Sequence, residues 1–297
     1  MKLSLFKTEF PIMLAPMAGF TDMTYRSICR EHGCDFTFTE MISAKGLKYG
    51  GKSADLMETA PNERPCGIQL FGRDPDIMAE MARRICGENK GELALIDINM
   101  GCPAPKITGN GEGSALMKEP GVAARVIEAV VKASALPVSV KFRKGWDSGH
   151  VNCVDFARMA EASGAAFVTI HGRTRDQMYS GAADWEVIAE AKAALSIPVI
   201  GNGDVTGGSS AIAMRDYTGC DGIMIARGAL GNPYVFQEVK AAFAGVPYTP
   251  PSNAERLDLA IAHVRGLVAH KGPHGVIEMR KHIAYYVRGM KGASAFR

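Results

Sequence analysis

Paired cysteines are missing from this chain. Its seven cysteines, at positions 29, 34, 66, 86, 102, 153 and 220, are odd in number, and no two stand at Cys-x-x-Cys spacing. That argues against a disulfide framework and a zinc ribbon, and for a reducing cytoplasm. Long apolar runs are also missing: nothing approaches the ~20 residues of a membrane span, and the opening MKLSLFKTEF lacks the apolar core of a signal peptide. No Gly-x-Gly-x-x-Gly follows an early strand, so a Rossmann nicotinamide domain is not indicated. No His-Glu-x-x-His and no Asp/Glu cluster is present, so no metal is expected. Charge of one sign is scarce overall, with a net charge of +3, but it is unevenly spread. Residues 252–297 carry eight Lys/Arg against three acids, +5, leaving −2 for the rest. A basic appendage on a neutral body suggests a polyanionic partner; a solvated helical surface is the plainer alternative.

What is present is ordinary globular material: 297 residues, 47% hydrophobic and 22% charged. Short apolar runs alternate with amphipathic stretches. Strands are predicted at Phe10–Ala15, Asp35–Thr39, Cys66–Phe71, Leu93–Asn99, Val138–Phe142, Ala166–Ile170, Val199–Gly201 and Gly222–Ala226. Helices are predicted at Asp74–Cys86, Glu119–Ala133, Cys153–Ser163, Asp184–Leu195, Ser209–Tyr217 and Asn232–Ala244. Eight strands with interleaved helices give the count of an α/β (β/α)8 TIM barrel, expected over residues 1–245. A Gly/Pro cluster, GVPYTPPS at 245–252, marks a boundary. Beyond it, Asn253–His270 and Val276–Met290 have helical period, so 252–297 is expected to be a small all-helical domain.

Chemistry is expected at the carboxyl ends of the strands. Asp97-Ile-Asn-Met-Gly-Cys-Pro103 leaves strand four through a Gly/Pro turn, which brings Asn99 and Cys102 to the mouth. A thiol with a reference pKa of about 8.5 is mostly protonated at neutral pH and can donate a proton. A buried, inert cysteine is the alternative. Lys141 alternates with Val140 and Phe142, so it points inward, where an ammonium needs an anion beside it. His171, the Gly201-Asn-Gly-Asp-Val205 turn and Ala226-Arg-Gly228 end strands six, seven and eight. Small residues after strands seven and eight suit a phosphate, and Arg227 adds a positive fork. Gln69 ends strand three, and its amide can meet a heterocycle edge. Ala15-Pro-Met-Ala-Gly19 is a tight turn of small residues that could lie under a flat ring.

These segments resemble one family. APMAGFTD at 15–22, IQLFG at 68–72, INMGCPAPK at 98–106, GSAL at 113–116, VKFRKGWD at 140–147, IHGRT at 170–174, GNGDV at 201–205 and ARGALGNP at 226–233 resemble the tRNA-dihydrouridine synthases. MRKHIAYYVRGMKG at 279–292 resembles their helical domain, and the CPAPK…GEGSALM pattern is similar to the bacterial B-type subfamily. The resemblance implies FMN in a TIM barrel, NADPH as reductant and tRNA as substrate. It implies that Cys102 donates the proton, and that Pro16, Met17, Ala18, Gln69, Lys141, His171, Asn202, Gly203, Asp204, Ala226 and Arg227 bind FMN. Asn99 is expected to orient the target base, and Arg173, Arg280, Lys281, Arg288 and Lys291 to contact the tRNA. The spacing of 280, 288 and 291 on a continuous helix would keep these tail cations on one side. Two departures stand out. Ala226 replaces a usual glycine, and the chain stops short of the family's usual helical-domain length, which implies a reduced or truncated tail.

Overall fold

The computed structural model describes residues 5, 6 and 8–293, so the last four residues of the expected helical domain, Arg297 included, lie outside the described residues. Eight strands pair in parallel: β1 (Ile12–Leu14), β2 (Phe38–Ser43), β3 (Cys66–Phe71), β4 (Leu93–Met100), β5 (Val138–Gly145), β6 (Phe167–Thr174), β7 (Val199–Asn202) and β8 (Gly222–Ile225). Their order, β1-β8-β7-β6-β5-β4-β3-β2, leaves β1 and β2 at the two ends. A parallel bridge from Met13 to Phe36, with the Leu14 N–H donating to the Phe36 carbonyl at 3.0 Å, closes the ring. The fold is a (β/α)8 TIM barrel, as the alternation predicts.

The helices are α1 (Met23–Glu31), α2 (Ala44–Lys48), α3 (Pro75–Glu88), α4 (Pro105–Thr108), α5 (Pro120–Ala133), α6 (Cys153–Ala162), α7 (Glu186–Ala194), α8 (Gly208–Thr218), α9 (Val235–Ala244), α10 (Asn253–Lys271) and α11 (His274–Tyr286). Side-chain alternation sorts each strand into two rows. Ile96, Ile98, Val140, Phe142, Val168 and Ile170 face outward and join the apolar layer under the helices. The inward row begins apolar, with Met13, Phe36, Phe38, Leu95, Phe167, Ile200 and Met224 packed inside the barrel. Towards the carboxyl ends it turns polar. Gln69 pairs in register with Asp97, Asn99 with Lys141, and His171 with Asn202. Side chains of one layer therefore meet across strands, which puts the polar groups at one end of the barrel.

Helix α1 is absent from the predicted set. It buries Tyr25, Ile28 and Cys29 together with Arg26, whose guanidinium forks onto Glu63 at 2.8 and 3.0 Å with both residues 1% exposed. An arginine set among those three apolar residues puts a charge on the buried face of a nine-residue helix and interrupts its apolar pattern. The tail holds the second difference. Helix α11 ends at Tyr286, and the following RGMKG forms a turn, with Gly289 and Gly292 at φ of +82° and +81°. Glycines in the left-handed region end a helix rather than extend it. Arg288 and Lys291 therefore do not lie on one helix with Arg280, contrary to the expected continuous stretch to Met290.

Between α9 and α10, residues 246–252 have no helix or strand. Ser252 then opens α10 with a capping box: its hydroxyl accepts from the Glu255 N–H, and Glu255 returns to the Ser252 backbone. Helices α10 and α11 pack on each other through Leu267, Met279 and Tyr286, and against α1 through the rings of His263, His282 and Tyr25.

Candidate active site

A cleft of about 1130 Å³ opens at the carboxyl end of the barrel. Its volume is slightly above the roughly 300–1,000 Å³ of ordinary small-molecule pockets, enough for more than one planar ring. Of the expected residues, Pro16, Met17, Ala18, Asn99, Cys102, Lys141, His171, Arg173, Asn202, Gly203, Asp204, Ala226, Arg227 and Arg288 line it. Gln69 does not, and neither do Arg280, Lys281 and Lys291.

Asn99 organises the turn that carries the thiol. Its Oδ1 accepts the N–H groups of Gly101 at 3.1 Å and Cys102 at 2.9 Å, and its Nδ2 donates to Gln69 Oε1 at 2.9 Å. Gln69 is fully buried beneath, and its Nε2 donates to Asp97 at 2.6 Å. Ser139 donates to the other Asp97 oxygen at 2.6 Å. Gln69 thus acts as a strut below the cleft floor. Burial pushes the Asp97 carboxyl up to about 6, against the pull of Gln69, Ser139 and Lys141. The Cys102 carbonyl is held by the N–H and hydroxyl of Ser114, at 3.1 and 2.9 Å. Gly113, at φ +59°, lies so close that a Cβ would come within 2.8 Å of that carbonyl. Burial raises the Cys102 thiol, with Arg143 and Lys141 pulling less strongly the other way. The thiol therefore stays protonated at neutral pH.

Lys141 donates to Asn202 Oδ1 at 3.0 Å, and Asn202 in turn donates to the Met224 carbonyl at 2.7 Å. The ammonium thus rests on a neutral amide. Burial pushes Lys141 down to about 8, with Arg143 adding to the shift and Asp97 opposing it. His171 is held well below the usual imidazole range by burial and by the cations around it, so it is neutral. Arg173 is 2% exposed and bonds Ser180, Gly181 and Asp204, while its Nη1 finds no partner among the described residues. The Asp204 carboxylate accepts from Arg173 and from the Ala183 N–H at 2.8 and 2.7 Å and sits 3.4 Å from Arg227. Its role in this geometry is to hold arginines rather than to face an anion itself.

Gly203 is at φ +128°, and a Cβ there would stand 2.6 Å from Ala183 and 3.2 Å from His171. The turn can be built only with glycine at this point. Strand β8 runs into a single 3-10 turn, Arg227–Ala229, before α9, the position where barrels of this kind place phosphates. Ala226 occupies the usual glycine position at φ −108°, outside the left-handed region that favours glycine. The donor set fits a phosphate-bearing anion with a planar ring: an ammonium without a carboxylate partner, an orphan guanidinium nitrogen, an exposed arginine and a glycine turn.

Several lining residues lie beyond the expected set. Arg143 is 3% exposed and donates to the carbonyls of Gly101, Thr174 and Met178, tying the Cys102 turn to the β6 loop. Burial pushes it down to about 10. Met178 and Tyr179 lie over the cleft, with the Arg227 guanidinium 5.0 Å from the Tyr179 ring. Phe20 and Tyr285 meet edge to face at 5.9 Å in the lining, and Arg256 reaches the cleft from the helical region beside the expected Arg288. The signal for the β6 loop is the turn sequence ending at Gly181, directly after a strand end. The tail contributions have no signal, because they depend on where α10 and α11 dock. Lys281 points towards the first loop instead, 5.9 Å from the Phe20 ring and 3.5 Å from Glu278.

Among the described residues, no helix is long and apolar enough to cross a membrane. In overall shape the chain is similar to histamine dehydrogenase from Rhizobium sp. 4-9, with a TM-score of 0.56 and 14% identity, covering 92% of this chain and 49% of that one. That likeness concerns the fold alone. Sequence relatives are much nearer. A "Probable tRNA-dihydrouridine synthase 1" of Synechocystis sp. is 41% identical over 288 residues, 96% of this chain and 80% of that protein. A "tRNA-dihydrouridine synthase B" of Xanthomonas campestris pv. campestris is 41% identical over 289 residues, 96% and 86% of the two chains. A "Probable tRNA-dihydrouridine synthase" of Mycobacterium tuberculosis is 42% identical over 301 residues, 97% and 77%. The family model described as "Dihydrouridine synthase (Dus)" matches residues 13–297. By both measures, the chain belongs to the dihydrouridine synthase family of enzymes.

Proposed function

We propose that this protein reduces selected uridines of tRNA to 5,6-dihydrouridine, with FMN at the barrel mouth and NADPH as reductant, in the cytoplasm. The observation that carries the reading is that a protonated thiol, Cys102, shares one cleft with Lys141, His171, Asn202 and Arg227. The names of the relatives support tRNA as the substrate. Bound FMN would supply the hydride delivered to C6 of the uracil ring.

The chain's own residues do the rest. Lys141, with Asn202 behind it, balances negative charge on the ring; His171, Gly203 and Arg227 hold the phosphate end; and Pro16, Met17 and Ala18 form the floor. Gln69 acts from below through Asn99, and Asp204 through Arg173 and Arg227. Asn99 orients the uracil. Cys102 passes its proton to C5 as negative charge develops there. A uridine must leave its stack to reach this depth, which suits a cleft with room beyond one ring. Arg173, Arg280, Lys281, Arg288 and Lys291 are assigned to the tRNA, over a barrel of residues 1–245 and a helical domain of 252–297.

The test is anaerobic. The FMN-loaded protein, reduced by NADPH, is mixed with unmodified tRNA, free uracil or orotate. Flavin reoxidation by tRNA alone is the expected result. Reoxidation by a free pyrimidine but not by tRNA would make this a small-molecule dehydrogenase.

A further inference from the structure

Three buried side chains meet where the helical region crosses α1. Asp22 precedes α1, His263 lies within α10 and His282 within α11, and their ligand atoms lie within 4.8 Å of one another. Both imidazoles are 0% exposed and Asp22 is 4% exposed. Nε2 of His263 and both ring nitrogens of His282 have no hydrogen-bond partner among the described residues. Buried polar atoms are nearly always partnered, so such a concentration of orphans points to a bound species.

We propose that this seam binds one divalent transition-metal ion, of the softness of Zn²⁺, through Asp22, His263 Nε2 and one ring nitrogen of His282. Two imidazoles and a carboxylate are a ligand set that zinc accepts, with a fourth position left for water. The remaining nitrogen of His263, Nδ1, lies 3.2 Å from the Tyr286 hydroxyl, an outer partner that can fix the tautomer with Nε2 free. Asp22 Oδ1 is used to cap α1, accepting the Tyr25 N–H at 3.0 Å. Its Oδ2 has Lys271 only at 3.5 Å, whereas Lys271 meets Glu278 at 2.9 Å. The lysine can therefore stay with Glu278 while the aspartate turns to a cation. The charges around the seam are Asp22, Glu40 and Glu278 against Lys271 and Lys281, one negative charge in excess.

Metal bonds of about 2.0–2.1 Å require the ligand atoms to close in from their present spacing. The His282 ring, packed against the rings of Phe20, Tyr25 and His263, has no side-chain hydrogen bond among the described residues to break when it shifts. The ion would tie α10 and α11 to α1, directly behind the Pro16–Phe20 loop of the cleft, and so fix the helical region on the barrel.

The experiment uses the full-length holoprotein, stripped with a chelator and titrated with Zn²⁺ and with Co²⁺. Expected are one ion per chain by elemental analysis, visible d–d absorption of a four-coordinate Co²⁺ site without a thiolate charge-transfer band, and a higher Tm with Zn²⁺. Asp22→Asn keeps the helix cap, since asparagine caps as well as aspartate, but removes the ligand charge. It and His263→Gln should each weaken Zn²⁺ affinity at least tenfold. No stoichiometric ion in the wild type, unchanged affinity in Asp22→Asn, or a thiolate band placing the ion on cysteine would each overturn the proposal. Should His263→Gln fail to fold, the Asp22→Asn result decides.

Discussion

The Oδ1 of Asn99 holds the backbone N–H of Cys102 at 2.9 Å, so the residue assigned to the base also fixes the turn that presents the thiol. Removing that acceptor leaves two N–H groups to find water. An unmade buried hydrogen bond costs about 1–3 kcal/mol, which corresponds to roughly 5- to 150-fold in rate if it falls on the transition state. Asn99→Ala is expected to slow tRNA reduction by that order and to change the alkylation rate of Cys102, with FMN content preserved. Unchanged alkylation together with unchanged turnover would reduce Asn99 to a spectator.

Lys141 supplies the pH prediction. Burial holds it near 8 in the free protein, below its ordinary value of 10.5. A bound anion raises it again, so anion binding takes up a proton once the pH exceeds about 8. FMN affinity should therefore be flat from pH 6.5 to 7.5 and fall as the pH rises through 8 towards 9.5. Lys141→Met should bind FMN more weakly at pH 7 and lose this slope. Equilibrium titration of the flavin across the range checks both, and an identical pH profile in the mutant would remove the ammonium from the cofactor site.

The tail cations make a salt-dependence prediction. Arg280 and Lys291 are exposed and lie outside the cleft, whereas Arg288 lines it. Arg280→Glu with Lys291→Glu should weaken tRNA binding and flatten its salt dependence, by roughly one unit of logarithmic slope for each phosphate no longer neutralised. Filter binding at two salt concentrations measures this. Wild-type affinity at both would move the dock to the barrel rim, around Lys106 and Arg175.

Most of the barrel was legible because its outward rows are apolar and its turns are punctuated. Strand β3 matches the expected Cys66–Phe71 because Pro65 and Gly72 bound the run. Strands β5 and β6 run past their expected ends at Phe142 and Ile170, to Gly145 and Thr174. The added residues include Arg143, His171 and Arg173, polar groups that pair their backbones in the ladder while their side chains face the cleft. Apolar runs cannot report such extensions. The cleft residues found from sequence lie in or just after the carboxyl ends of strands, Arg288 of the tail apart. Those missed, Phe20, Tyr285 and Arg256, come from a loop and from docked helices whose placement depends on long-range packing. The Asp22, His263 and His282 seam was equally invisible, since Asp22 stands more than two hundred residues from the two histidines and none of the three sits in a ligand motif. The expected absence of a metal site rested on motifs alone.

The central claim is that the Cys102 thiol delivers the second hydrogen to uridine. Burial raises that thiol from its ordinary value, so it carries its proton throughout the neutral range. The direct measurement is single-turnover kinetics of Cys102→Ala with each half-reaction followed separately. Flavin reduction by NADPH should proceed near the wild-type rate, while dihydrouridine formation from tRNA should fall by about 10²–10⁴-fold, the usual contribution of a general acid. Dihydrouridine formed at the wild-type rate by the mutant would contradict the account.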